Sequence, residues 1–167
     1  LGVNLITAFF ASAVVGLFED SITRVAALAV FMPIVAGMGG NAATQTLTVI
    51  VRGIALGELT WGNSRKALLK AVRVGAANGA SLGVIAAAGA WAMRGDPVIG
   101  LLLGSAMMIN LTVAAVAGTL IPLGLRALKI DPALASSVFI TTLTDVFGFA
   151  SFLGLATIFL RYLRAVG

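Results

Sequence analysis

Asp145 stands inside the stretch SSVFITTLTDVFGFASFLGLA, residues 136–156, which holds no Lys, Arg or His to neutralise it. A carboxylate in the middle of an apolar run is costly if that run crosses a bilayer, and such residues ordinarily serve ion or proton pathways. Its neighbours are of one kind. Ser137, Thr141, Thr144, Gly148 and Ser151 recur at helical spacing through Asp145, a stripe of small or oxygen-bearing side chains. Val138, Ile140, Val146, Phe147, Leu153 and Ile158 occupy the other faces. One side of this helix is expected to meet lipid or packed protein, and the other something wet.

A second stripe lies upstream. Asn41, Thr44, Gln45 and Thr48 fall at i, i+3, i+4 and i+7, one helical face. Just before them, PIVAGMGGN (33–41) joins Pro33 to Gly37, Gly39 and Gly40. Proline removes a backbone donor and glycine loosens the helix, so a kink or break is expected here. Carbonyls freed at a break could face a cavity, where irregular backbone is tolerated in a membrane. Asn78 and Asn110 are further polar candidates. A plainer reading stands beside this one. Membrane Ser and Thr often bond only their own backbone, and Asn and Gln often join helices.

Carboxylate, hydroxyl, amide and carbonyl oxygens are hard ligands. They suit Mg²⁺, Ca²⁺ or Mn²⁺, and not copper or structural zinc. The chain has no Cys and no His, which excludes disulfides, thiolate or imidazole metal sites and His-based catalysis. An intramembrane aspartyl protease needs two carboxylates at close range, and each chain embeds only Asp145, so no enzyme is expected. One carboxylate is thin for a divalent ion. A two-fold homodimer with its axis along the stripe would supply a second. Mg²⁺ dehydrates reluctantly, so it is expected to pass with waters attached, bonded by Thr, Ser, Asn and Gln.

The elements that must position these residues follow from composition. Of 167 residues, 60% are hydrophobic and 10% charged, against about 25% charged in a soluble domain. Mean hydropathy is +1.10. The expected class is an all-α, multi-pass membrane protein embedded in lipid. The net charge of +5 is carried by connections between apolar runs and is no nucleic-acid signal. Five apolar runs, 1–18, 25–51, 67–93, 97–121 and 132–160, predict five spans. Asp96-Pro97 and Asp131-Pro132 mark the last two starts, with Asp at the cap and Pro at the first helical position. Gly75, Gly79 and Gly83, then Gly100 and Gly104, predict close helix packing. Glu19, Asp20 and Asp96 read as caps or solvated loops, and Glu58 as an ion-pair partner of Arg52.

Loop charge sets the orientation. Arg52, Arg65, Lys66, Lys70, Arg73, Arg126 and Lys129 lie toward one side, and Arg24, Arg94, Arg161 and Arg164 toward the other. The richer side is expected to be cytoplasmic, with the N-terminus inside, the C-terminus outside, and Lys66, Lys70 and Arg73 reaching inner headgroups. Residues 1–167 read as one domain, and a start at Leu1 without a basic leader reads as a piece of a longer chain.

Three stretches, FMPIVAGMGGNAATQTLTVIVRGIALGE (31–58), INLTVAAVAGTLIPL (109–123) and DPALASSVFITTLTDVFGF (131–149), resemble the MgtE family of magnesium channels. The resemblance runs over essentially the whole chain. It implies a homodimeric membrane domain in the plasma (inner) membrane, with a pore lined by the second and fifth helices. Asp145 then matches the aspartate that holds hydrated Mg²⁺, with the Thr141 carbonyl beside it. Asn41, Thr44, Gln45, Thr48, Ser137 and Gly148 are expected to line the pore. It also implies cytoplasmic magnesium-sensing domains, including paired CBS modules, ahead of the first helix in the full-length chain. The expected function is a Mg²⁺-selective channel. The alternative is an ion-coupled secondary transporter that uses Asp145 as its carrier site and a broken helix at Pro33.

Overall fold

A helix of about 20 apolar residues spans the hydrocarbon core, because each residue advances it by ~1.5 Å and every backbone group finds a partner within the helix. The computed structural model describes residues 2–163, and the side chains of all these except 133–136 and 160–163. Arg164, on the charge-poorer side, and Leu1, at the head of the first apolar run, lie outside the described residues, as does the side chain of Arg161. Among the described residues every regular element is a helix: α1 (Gly2–Gly16), α2 (Glu19–Arg24), α3 (Ala27–Ala55), α4 (Ser64–Arg94), α5 (Pro97–Ala127) and α6 (Pro132–Leu163).

Among the described residues, four helices are long and apolar enough to cross a membrane: α3, α4, α5 and α6. The first run differs from expectation. It forms α1, 15 residues long, and then turns into the short polar helix α2. Fifteen residues cover roughly 22 Å, less than the hydrocarbon thickness.

Both Asp-Pro signals mark real starts, since α5 begins at Pro97 and α6 at Pro132. Asp96 accepts a hydrogen bond from the Val98 amide at 2.7 Å, so its side chain serves a cap. Asp20 pairs with Arg24 one turn on, at 2.8 Å. Arg52 and Glu58 do not pair as expected; both are exposed, and Glu58 offers its carbonyl to the Asn63 side chain in the α3–α4 connection.

α5 is the hub. It packs against α3, α4 and α6, while α3 and α6 also lie against each other and α1 leans on α6. α4 touches little besides α5. The reason is the glycine series. A Cβ on Gly83 would stand 2.7 Å from the Gly104 carbonyl oxygen, and one on Gly100 2.6 Å from the Ala87 carbonyl oxygen. Gly75 and Gly79 meet the backbone of Leu111 and Met108 in the same way. In lipid no hydrophobic drive separates core from surface, so backbone proximity provides the association. Outward faces are correspondingly apolar, with Phe9, Phe10, Val84, Ile85, Leu101 and Ile158 all exposed.

Two hydrogen bonds identify the two ends of the bundle. Arg126 at the end of α5 donates to the Leu59 carbonyl in the α3–α4 connection at 2.6 Å. Ser21 of α2 and Thr157 of α6 share a hydroxyl bond of 2.8 Å at the opposite end. Arg52, Arg65, Lys66 and Arg126 therefore gather at one end, away from Arg24.

Candidate ion site

Asp145 lies near the middle of α6, roughly 20 Å along the axis from Pro132. It is half-buried and makes no ion pair or hydrogen bond among the described residues. No three His, Cys, Asp or Glu side chains come together among those residues.

α3 runs beside α6, and Gly40 meets Thr141 one turn from Asp145, where a Cβ on Gly40 would lie 3.7 Å from the Thr141 methyl. On α3, Asn41, Thr44, Gln45 and Thr48 are all exposed. On α6, Ser137 is exposed and Thr141 half-buried. Two open stripes thus flank one contact, with Asp145 one turn beyond Thr141.

The hydroxyls do bond their own helices. Thr44 donates to the Gly40 carbonyl (2.9 Å), Thr48 to Thr44 (2.8 Å), and Thr141 to Ser137 (2.9 Å) and Val138 (3.1 Å). This does not make them inert. A hydroxyl has one proton and two lone pairs, so tying the proton to the backbone leaves an outward group that can only accept. Water bound to a cation offers only hydrogens outward. A stripe of back-bonded threonines beside a carboxylate is therefore matched to a hydrated cation and mismatched to an anion.

Several expected members sit elsewhere. Gly148 does not share the open face: it is buried, and a Cβ there would meet the Asn110 amide at 2.7 Å and Val35 at 3.0 Å. Thr144 is fully buried and donates to the Thr141 carbonyl at 2.9 Å, engaging one lone pair of the oxygen that the resemblance assigns to the ion. Gln45 faces partly away, lining a cleft of about 560 Å³ between α3 and α4 with Arg52, Lys70, Glu58 and Asn78. At 100° per residue, Gln45 sits on the α4 flank of its stripe, whereas Thr44 and Thr48 do not.

The expected helix break is absent. α3 continues unbroken from Ala27 to Ala55 through Pro33, Gly37, Gly39 and Gly40. One missing backbone donor is outweighed by the hydrogen bonds on either side, as is usual for proline in a membrane helix. The glycines have separate uses. Gly37 faces open space, Gly40 admits Thr141, and Gly39 receives the side chain of Asn110. The α3 position that matters is thus a notch in an intact helix.

Asn110 is a candidate by residue type alone, and no spacing in the sequence names its partners. It is fully buried on α5, it donates from Nδ2 to the Val35 carbonyl of α3 at 2.9 Å, and it lies against Gly39 and Gly148.

Similarity to known proteins agrees with an all-helical bundle that carries an unpaired carboxylate in a long apolar helix. The profile of the MgtE family, described as a divalent cation transporter, matches residues 32–155. The chain belongs to the MgtE family. The MgtE magnesium transporter of Bacillus subtilis is 34% identical over 159 residues, 95% of this chain and 35% of that protein. Those of Enterococcus faecalis and Thermus thermophilus are 36% and 31% identical, over 87% and 96% of this chain. This MgtE chain spans about a third of the length of these curated relatives, 32–36%. Their names are those of transporters, not enzymes. Family and apolar helices together make it an integral, multi-pass membrane protein.

Proposed function

We propose that this chain is the ion-conducting membrane domain of a Mg²⁺ channel that works as a homodimer. The pore runs along the two-fold axis between α3 and α6 of both copies, and α1 completes a fifth span in the full-length protein. Cytoplasmic domains outside residues 1–167 regulate it, and the basic end of the bundle faces the cytoplasm. The observation that carries the reading is Asp145: an unpaired carboxylate midway along α6, one turn from the back-bonded Thr141, with the Thr44 and Thr48 stripe of α3 running on from the Gly40–Thr141 contact toward the basic end.

The mechanism follows from charge and hydration. Two facing carboxylates repel in a low dielectric, and a divalent cation relieves this best. Mg²⁺ keeps its inner waters, which donate to Asp145 and Thr141 at one height and to Asn41, Thr44 and Thr48 in turn along the path toward the basic end. The same donor types accept Ca²⁺ and Mn²⁺, so preference for Mg²⁺ rests on spacing. The carrier alternative shares Asp145 as its site but also calls for a broken helix at Pro33, and α3 is intact there.

The deciding experiment is Mg²⁺ uptake into vesicles carrying the full-length protein. Asp145→Asn is expected to abolish divalent selectivity and most of the flux while the dimer still assembles. Undiminished, selective uptake by Asp145→Asn would make the carboxylate structural and sink the proposal.

A further inference from the structure

Asn110 is the one fully buried carboxamide in the described core, and it sits where three helices meet. Its Nδ2 bonds the Val35 carbonyl of α3, its plane fills the space left by Gly39 of α3 and Gly148 of α6, and its Oδ1 is buried without a partner among the described residues. Packing alone does not account for this. An apolar side chain of the same size would fill the gap without leaving an orphaned acceptor, and burying such a group is unfavourable. The best-attested use of a lone buried Asn is to set the register between helices, since its bond forms at one height only. The Val35 carbonyl requires the amide nitrogen on its side, which also fixes which way the carboxamide points.

The node is close to the ion path. Gly148 follows Asp145 by three residues, about 4.5 Å along α6, and Gly39 precedes Asn41 by two, about 3 Å along α3. A slip of one residue between these helices would move one oxygen stripe past the other by about 1.5 Å. Mg²⁺ holds a compact, near-octahedral shell of waters, whereas Ca²⁺ takes a larger and irregular one, so acceptors at a fixed spacing fit the first better. We propose that Asn110 is a positioning residue: wedged between Gly39 and Gly148 and bonded to Val35, it sets the height of α3 against α6, and so the spacing that favours Mg²⁺ over Ca²⁺. The inference rests on the ion-path reading above for its effect on selectivity, and on geometry alone for its effect on register.

Both parts can be tested in the full-length protein. Gly40→Cys with Thr141→Cys places thiols across the α3–α6 contact, and the intrachain disulfide is read as a shifted monomer on a gel. Asn110→Leu and Asn110→Ala are made in this background and, separately, without the cysteines. Expected results are a folded, monodisperse Asn110→Leu protein, a several-fold lower crosslinking rate, and a several-fold loss of Mg²⁺-over-Ca²⁺ discrimination in vesicle uptake. Unchanged crosslinking and unchanged discrimination would overturn the proposal. So would failure of both variants to give monodisperse protein, which would make Asn110 a packing residue only. Asp145→Asn run in parallel separates the two claims: if it transports normally the ion-path reading falls, while crosslinking still decides the register.

Discussion

At the scale of single residues, protons matter as much as charges. Thr44 and Thr48 spend their hydroxyl protons on their own helix and face outward as acceptors. Thr48→Val keeps the shape and removes the acceptor. One lost hydrogen bond to a cation's water is worth about 1 kcal/mol, so uptake is expected to fall roughly fivefold without loss of thermal stability. Vesicle uptake paired with a melting curve checks both halves. Asp145→Glu should be milder than Asp145→Asn. It keeps the charge and displaces it by about one methylene, so a partial loss of Mg²⁺ uptake with retained divalent preference is expected.

At the scale of elements, the α4–α5 pair is held by absent side chains. Gly83 and Gly104 leave no room for a Cβ: each would meet the other's carbonyl oxygen within 2.8 Å. Gly83→Val is therefore expected to force the helices apart and destabilise the fold by about 1–3 kcal/mol. Its melting temperature in detergent should fall well below that of Gly89→Val, because nothing lies within 4 Å of a Cβ at Gly89. Equal melting temperatures for the two variants would refute the packing account. The helix starts are governed more locally: Asp96→Ala removes the acceptor for the Val98 amide and should cost about 0.5–2 kcal/mol.

At the scale of the whole molecule, the basic end and the two-fold axis make separate predictions. A cysteine at Gly62, in the exposed α3–α4 connection, should label from the cytoplasmic side only. One at Arg94 should label from outside. Arg94 is preferred to its neighbour Gly95, whose φ of 71° suits glycine and would strain a cysteine. Labelling of both from one side contradicts the charge bias. For the dimer, Thr48→Cys or Thr141→Cys should crosslink to its own symmetry mate, whereas Val84→Cys, on the exposed apolar face of α4, should not.

The sequence by itself determined the class, the long helices and the candidate chemistry. Each of these is a local or compositional property: hydropathy over about 20 residues, Asp-Pro at the starts of α5 and α6, a lone Asp145 without Cys or His anywhere. The MgtE resemblance was legible for the same reason, since its motifs are continuous stretches. Tertiary structure decided what a helical wheel leaves open. A stripe at i, i+3, i+4 and i+7 is wider than any one neighbour, so packing divided it: Thr141 and Asp145 stayed toward the open side, while Thr144 and Gly148 turned inward. Pro33 and its glycines gave the same local signal whether the helix broke or was merely notched. Only the arrival of Asn110 from a helix about seventy residues away, bonded to Val35 and pressed on Gly39, made it a notch. Such contacts depend on which helices become neighbours, and no spacing along one helix encodes that.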